Sequence, residues 1–266
     1  MYPKDSRNDS DGVSAEPATR LHTPTTSFGM SRAVQSAVPT IPYRQIRARQ
    51  PTPDSIIVYQ AYSAEIANAA VAQQRLDASP AFKMPRMSWI KPSFYWCKFI
   101  FTISAPVLTR SGSKGMYRAG WSYKDPYQAH ILQITVSKEG FLKLLEQASP
   151  SSGPDMAKGA AVRYQWDPER DIRLGKLSYR SLQLGLAGEV KEKWIREWII
   201  RIDDITEDVR RWKGYIDEGS EDDVARAQAE IESRGKEKVF EVSEELQQIL
   251  RMGVASDADH GGHGQA

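Results

Sequence analysis

The sequence predicts an α+β fold: one compact mixed sheet-and-helix domain with a C-terminal helical extension and disordered termini. Short β-branched runs are mixed with capped amphipathic segments, without the strict alternation of a parallel α/β fold. Both ends are polar and lack a sustained apolar period, so residues 1–40 and 254–266 are expected to be disordered. Between them the core domain is expected over 41–206 and an acidic helical extension over 207–253. Ile56-Ile-Val-Tyr59 is a β-branched and aromatic run and predicts a strand. Ser63 is placed to cap a helix reaching Arg75, with Glu65 in its first turn. His130–Val136 predicts a second strand. Ser137 then caps a helix whose Phe141, Leu144, Leu145 and Ala148 share one face. Residues 149–160 read as a loop. The alternating segment Ala161–Trp166 reads as a third strand, stopped by Asp167-Pro168. Val190, Trp194 and Trp198 recur at a spacing of four and predict a helix over Glu189–Glu197, followed by a short strand Ile199–Ile202. Thr206 is expected to cap a helix carrying Val209, Trp212 and Ile216 on one face. Two further helices are expected over 221–233 and 236–251, broken at Gly235. Their narrow apolar stripes suit packing on the body or on a partner helix.

Charge is segregated along the chain. The formal net charge is +2, but residues 41–200 carry +10 and residues 201–266 carry −8. A basic body beside an acidic extension suggests an anion-binding surface, although a mutually neutralised, solvated surface would look the same. The chain has one cysteine, Cys97, which excludes an internal disulfide and zinc sites built on several thiolates. Of the four histidines, His22, His260 and His263 lie in the polar ends, and only His130 lies in core sequence. No metal site is expected. The longest apolar stretch, near Ile100–Leu108, is far short of the ~20 residues that a membrane span needs. With no secretory signal at the start, a cytoplasmic or nuclear location is the expectation.

Absent motifs narrow the chemistry. Ser111-Gly-Ser-Lys-Gly115 is glycine-rich but lacks the lysine–hydroxyl ending of a P-loop. No G-x-G-x-x-G follows a strand, and no G-x-S-x-G occurs. What remains is a set of dense aromatic and basic segments. They are Ile41–Arg49; Met87–Trp96 continued by Met116–Trp121; and Tyr164–Asp171 continued by Ser178–Gln183. Arginine forks bind phosphate at two points, and aromatic faces stack on bases. The candidate ligand-binding residues are Arg44, Arg47, Trp89, Lys91, Ser93, Tyr117, Arg118, Arg180 and Gln183. Asp167 and Glu169 are the candidate catalytic carboxylates. Tryptophans are more often core than stacking platforms, and Glu169-Arg170 could simply close a turn.

These segments resemble the family catalogued as domain of unknown function 4291. Its pattern runs I-P-Y-R-Q-I-R-A, M-[ST]-W-I-K-P-S-F-x-W-x-M-Y-R-x-G-W, V-x-W-D-P-E-R-D, Y-R-S-[IL]-Q-[IL]-G-L and E-W-I-x-x-I-x-D-[IV]-T. The matching residues are Ile41–Ala48, Met87–Trp96, Met116–Trp121, Val162–Asp171, Tyr179–Leu186 and Glu197–Thr206. The likeness spans about residues 41–210. It assigns no catalytic roles, but it implies that the segments form one site. One departure stands out: residues 98–115 interrupt a run that is continuous in the family. Deleting them rejoins Cys97 to Met116. Cys97-Lys98-Phe99 can be encoded with a GTAAGT donor signal, and Leu108-Thr109 with a CTAAC branch-point signal. The insertion is therefore read as a translated retained intron of a eukaryotic gene. Transcript sequencing is expected to show a mature message without these codons, and a message that keeps them would refute the reading. The insertion would break a helix expected from about Pro92 to Gly120, and without it the body charge falls from +10 to +7.

The leading expectation is a basic, aromatic-lined pocket for a phosphate-bearing ligand: a nucleotide, a dinucleotide such as NAD, or a nucleic-acid end. If the protein is an enzyme, the expected chemistry is metal-independent transfer or hydrolysis of ADP-ribosyltransferase-like type. In it Arg44, Lys91, Arg118 and Arg180 hold phosphate, Trp89 and Tyr117 stack, and Glu169 acts as base or stabilises a developing cation. That likeness of mechanism is an analogy at the level of fold. The alternatives are a non-catalytic RNA- or DNA-binding module using the same residues, and a scaffold whose acidic C-terminal helices dock a protein partner.

Overall fold

The computed structural model describes residues 42–95, 129–173 and 175–253. The expectations for 1–40 and 254–266, for the helix beyond Tyr95, for Tyr117 and Arg118 and for the fold of 98–115 lie outside the described residues. Two sheets carry the α+β fold. Strands β2 (Ser55–Tyr62), β4 (His130–Ser137) and β8 (Ile199–Asp204) form an antiparallel sheet in the order β2-β4-β8. Strands β3 (Ser88–Ile90), β5 (Ala148–Pro150), β6 (Val162–Arg170) and β7 (Lys176–Leu186) form the second, in the order β3-β7-β6-β5. A two-stranded ribbon pairs β1 (Arg47–Ala48) with β9 (Lys238–Val239). Backbone bonds between Tyr59 and Lys91 tie the two large sheets together.

The unbroken apolar run of β2 is explained by burial on both faces. Ile56 and Val58 join the main core with Leu132 and Ile134 of β4 and Leu182 and Leu184 of β7. Ile57 and Tyr59 face a second core built on Phe94, Trp212, Ala227 and Ile231. Helix α1 (Ala64–Gln73) is capped by Ser63, and α2 (Lys138–Glu146) by Ser137, as the sequence predicts. Ala148 belongs to β5, not to the face of α2. Helix α3 (Gly188–Lys193) runs into a π-helical turn, Trp194–Trp198, which buries Trp194 and Ile195. Helices α4 (Thr206–Glu218) and α5 (Glu221–Ser233) lie over the outer face of β2 and β4. The stripe Val224, Ala227, Ile231 is thus buried within this chain. Helix α6 (Glu244–Ile249) closes the described chain.

Three sequence expectations need correction. Thr206 does not cap α4. It is the first helical residue, and its backbone N–H donates to Asp204 Oδ1 at 2.9 Å. Asp167-Pro168 does not stop the third strand. The N–H and C=O of Arg180, opposite Pro168, bond to Tyr43 and Gln45. That cross-strand pair therefore exchanges no ladder bonds, and a residue without an N–H costs the ladder nothing there. The helix expected over 236–251 is confined to α6. Residues 238–239 are strand, because pairing with β1 and the bond from Phe240 N–H to the Ile46 carbonyl (2.7 Å) hold this backbone extended. Phe240 is the residue buried there, and Val239 is exposed.

Candidate functional site

Alternation along the β6–β7 hairpin gives the second sheet two unlike faces. Val162, Tyr164, Leu182, Leu184 and Leu186 point into the main core. Arg163, Gln165 and Asp167 share the other face, opposite Gly185, Gln183 and Ser181. Trp89 of β3 stands opposite Gly185 on that face. A Cβ at Gly185 would lie 2.7 Å from Met87 Sδ and 3.0 Å from the Trp89 ring. Glycine is what lets Met87 and Trp89 lie down on the sheet.

A cavity of about 590 Å³, a size usual for small-molecule sites, takes Trp89, Arg163 and Gln165 from this face and Tyr164, Trp166 and Arg180 from the other. Among the described residues its lining holds four arginines, Arg44, Arg163, Arg180 and Arg251, with Trp89, Tyr164, Gln165 and Trp166, and no acidic residue. The arginines are fixed in different ways. Arg180 Nε donates to Tyr43 Oη at 2.6 Å, and its Nη1 donates to the Trp166 carbonyl at 3.0 Å. Arg44 Nη1 donates to the Arg251 carbonyl at 2.7 Å. Arg251 has a left-handed backbone (φ 53°) and is paired with Asp155 just outside the cavity. Arg163 meets only the Met156 sulfur, at 3.9 Å. The buried Tyr164 hydroxyl and Gln165 Oε1 have no hydrogen-bond partner. Burial raises the Tyr164 pKa, while Arg251 and Arg44 act in the opposite direction.

Beyond Gln165 the face becomes a buried polar cluster. Gln165 Nε2 donates to Asp167 Oδ1 at 3.0 Å, and Asp167 Oδ2 is buried without a partner. Burial raises the Asp167 pKa against the opposing pull of Lys91, Arg180 and Arg170. Glu169 is 1% exposed; its Oε1 accepts from the Arg170 N–H at 2.9 Å and its Oε2 is unpartnered. Facing it is Glu237, which accepts from the Phe94 N–H at 2.5 Å and from Ser93 Oγ at 3.5 Å. Burial, and then the Glu169 charge, push the Glu237 pKa up to about 7. Arg47 stacks over Tyr179 (5.7 Å) and donates to the Glu237 carbonyl at 3.3 Å. Lys91, Ser93, Ser181 and Gln183 are all buried.

The structure therefore divides the expected site in two. Arg44, Trp89 and Arg180 line the cavity. Lys91, Ser93, Asp167, Glu169 and Gln183 belong to the buried cluster, with Arg47 against its Glu237 side. Trp89 and Trp166 are half-buried in the cavity wall, whereas Trp198 is core. Glu169 and Arg170 end β6, and the pair of Arg170 with Lys176 flanks the turn of the hairpin. Sequence reasoning missed Arg163, Arg251 and Glu237. The polar alternation Arg163, Gln165, Asp167, Glu169 carried a readable signal for the first. Arg251 and Glu237 carry none, since single charges in charged segments are ordinary surface residues. Among the described residues no group of His, Cys, Asp and Glu is arranged to hold a metal ion, and no helix is long and apolar enough to cross a membrane.

A model of the family described as domain of unknown function (DUF4291) matches residues 45–103 and 114–240. The unmatched residues 104–113 fall inside the insertion expected from the sequence. The cavity residues Arg44 and Arg251 flank the matched span, and Glu237 lies within it. No curated protein matches the chain.

Proposed function

The chain belongs to the DUF4291 family, and from its site we propose that it binds a phosphate-bearing ligand, a nucleotide or dinucleotide, in the arginine cavity. The observation that carries this reading is the cavity lining, which among the described residues holds four guanidinium groups, two tryptophans and no carboxylate. Such a lining attracts anions, and guanidinium forks match phosphate oxygens at two points. The indoles offer faces for a planar base. The adjoining buried carboxylates favour a reaction over binding alone. Glu169, dry and with one oxygen unpartnered, is suited to take a proton or to face a cation developing at a sugar carbon. The reaction class is transfer or hydrolysis carried by side chains, of ADP-ribosyltransferase-like type.

Thermal-shift measurements on the full chain with ADP, NAD, pyrophosphate and a short oligonucleotide test the reading. Ligands that bind only the folded state raise Tm. At least one nucleotide is expected to do so, and Arg163→Met is expected to weaken its binding roughly tenfold or more, the usual worth of a charge-assisted bond. Glu169→Gln is expected to remove turnover while changing nucleotide affinity little. A shift with the oligonucleotide alone would instead favour the nucleic-acid-binding reading. No shift from any probe at millimolar concentration would refute both.

A further inference from the structure

We infer that Arg163 and Arg251 form a two-point site for a diphosphate, and that Asp155 holds Arg251 until the ligand's second phosphate displaces it. The inference deepens the reading of the arginine cavity as a phosphate site and rests on it. Both arginines line the cavity, so a ligand inside it has access to them. They also meet one loop. Arg163 Nη1 lies 3.9 Å from Met156 Sδ, and Arg251 Nη2 is paired with Asp155 Oδ2. Asp155 and Met156 are consecutive, with Cα atoms about 3.8 Å apart, so the two cations converge on one edge of the cavity. Ser151 and Ser152 of the same loop belong to that edge.

The two cations are held differently. A thioether is a weak acceptor, and among the described residues Arg163 forms no ion pair, so a phosphate displaces no carboxylate there. Arg251 already has a carboxylate, brought from just outside the lining. Asp155 and Arg251 act in opposite directions on the hydroxyl of Tyr164, a residue of the cavity wall. The backbone of Arg251 is fixed. Its N–H donates to the Gln248 carbonyl at 3.1 Å, and the Met252 N–H donates to the Gln247 carbonyl at 2.8 Å. This pattern ends α6 on a left-handed residue, a place that suits glycine. An arginine there accepts backbone strain and brings a cation to the cavity. A monophosphate is satisfied at Arg163, where it meets no competitor. A diphosphate bound there carries a second phosphate tethered close to Arg251. Tethering gives that phosphate a high effective concentration against Asp155. The Asp155–Arg251 pair is half-exposed on both sides and therefore weak, so it yields to the second phosphate while lowering its affinity. The ligand class is thus a nucleoside diphosphate or a dinucleotide, in which two phosphates are adjacent.

The test compares inorganic phosphate with pyrophosphate by titration calorimetry on the full chain. Pyrophosphate is expected to bind roughly tenfold tighter or more, the usual gain from a second charge-assisted bond. Arg251→Met should shrink that preference to within about threefold and change phosphate affinity little. Asp155→Asn should tighten pyrophosphate about threefold, the scale of an exposed ion pair, and leave phosphate unchanged. In the Arg251→Met background the Asp155 change should gain nothing. Both side chains are half-exposed, so both variants are expected to fold. If Asp155→Asn tightens both probes alike, general loss of negative charge explains it and the proposal falls. Weaker pyrophosphate binding by Asp155→Asn would make the pair a structural tie and also overturn it. Equal affinity of the parent for the two probes would overturn the diphosphate site and leave the phosphate cavity standing. No binding of either probe, by the parent or by the Asp155 variant, would overturn the cavity reading and this site with it.

Discussion

Replacing Lys191 with methionine is expected to lower the unfolding free energy by about 3 kcal/mol or more. The Lys191 side chain is fully buried at 0% exposure. Its ammonium donates to the carbonyls of Lys83, Met84 and Arg86 at 3.0, 3.1 and 2.8 Å and lies 4.4 Å from the Phe82 ring centre. Burial pulls its pKa down to about 8, so near pH 7 it is still charged and the three bonds are charge-assisted. Methionine fills much of the same volume but donates nothing, which leaves the Met84 and Arg86 carbonyls unmet, while the Lys83 carbonyl keeps the Arg86 N–H. The consequence reaches the site. The segment held by Lys191 leads directly into Met87 and Trp89 of the cavity wall. Urea unfolding should show the loss as a lower midpoint at unchanged slope, and ADP affinity should fall with it. A loss below ~1 kcal/mol would show that the carbonyls find water instead.

Replacing Glu237 with glutamine is expected to change stability in a pH-dependent way. The folded-state pKa is raised from 4.5 to about 7, by burial first and by the Glu169 charge second, against Arg49, Arg47 and the Phe94 N–H. Well below pH 4.5 the carboxyl is protonated in both the folded and unfolded chains. As pH rises from 4.5 to 7, the unfolded chain gives up the proton while the folded chain keeps it. Stability therefore falls across that window, by about 3 kcal/mol in total, and the loss is complete above it. Glutamine mimics the protonated acid: its oxygen can still accept from Phe94 and its amide can donate to Ser93. The variant should match the parent at about pH 3.5, well below both pKa values, and exceed it by about 3 kcal/mol at about pH 8. Urea titrations at the two pH values check this, and an equal difference at both would refute it.

Much of the framework was legible in the sequence because short-range physics writes it. The caps at Ser63 and Ser137 and the apolar stripes of α2, α4 and α5 depend on neighbours within one or two turns. The strand through Pro168 was not legible, since proline ordinarily ends a ladder. Only the pairing of Arg180 with Tyr43 and Gln45 frees that position. The segment from Lys236 to Phe240 carries helical spacing in its sequence but is extended, because β1, nearly two hundred residues earlier, offers it backbone partners.

The candidate site divides along the same line. By itself the sequence determined which residue types any chemistry must use: arginine, lysine, aromatics and carboxylates, given one cysteine and a single histidine in the core sequence. It also determined that Trp89, Asp167, Glu169 and Arg180 lie within the span that matches one family. Only the tertiary structure decided that these residues form a cavity and a buried cluster rather than one pocket. Only the tertiary structure, likewise, added Arg251 and Glu237, and placed Ser181 against Asp167. Residue type is a local property, whereas exposure, the charge of neighbours and the absence of a hydrogen-bond partner are set by segments far away in the chain.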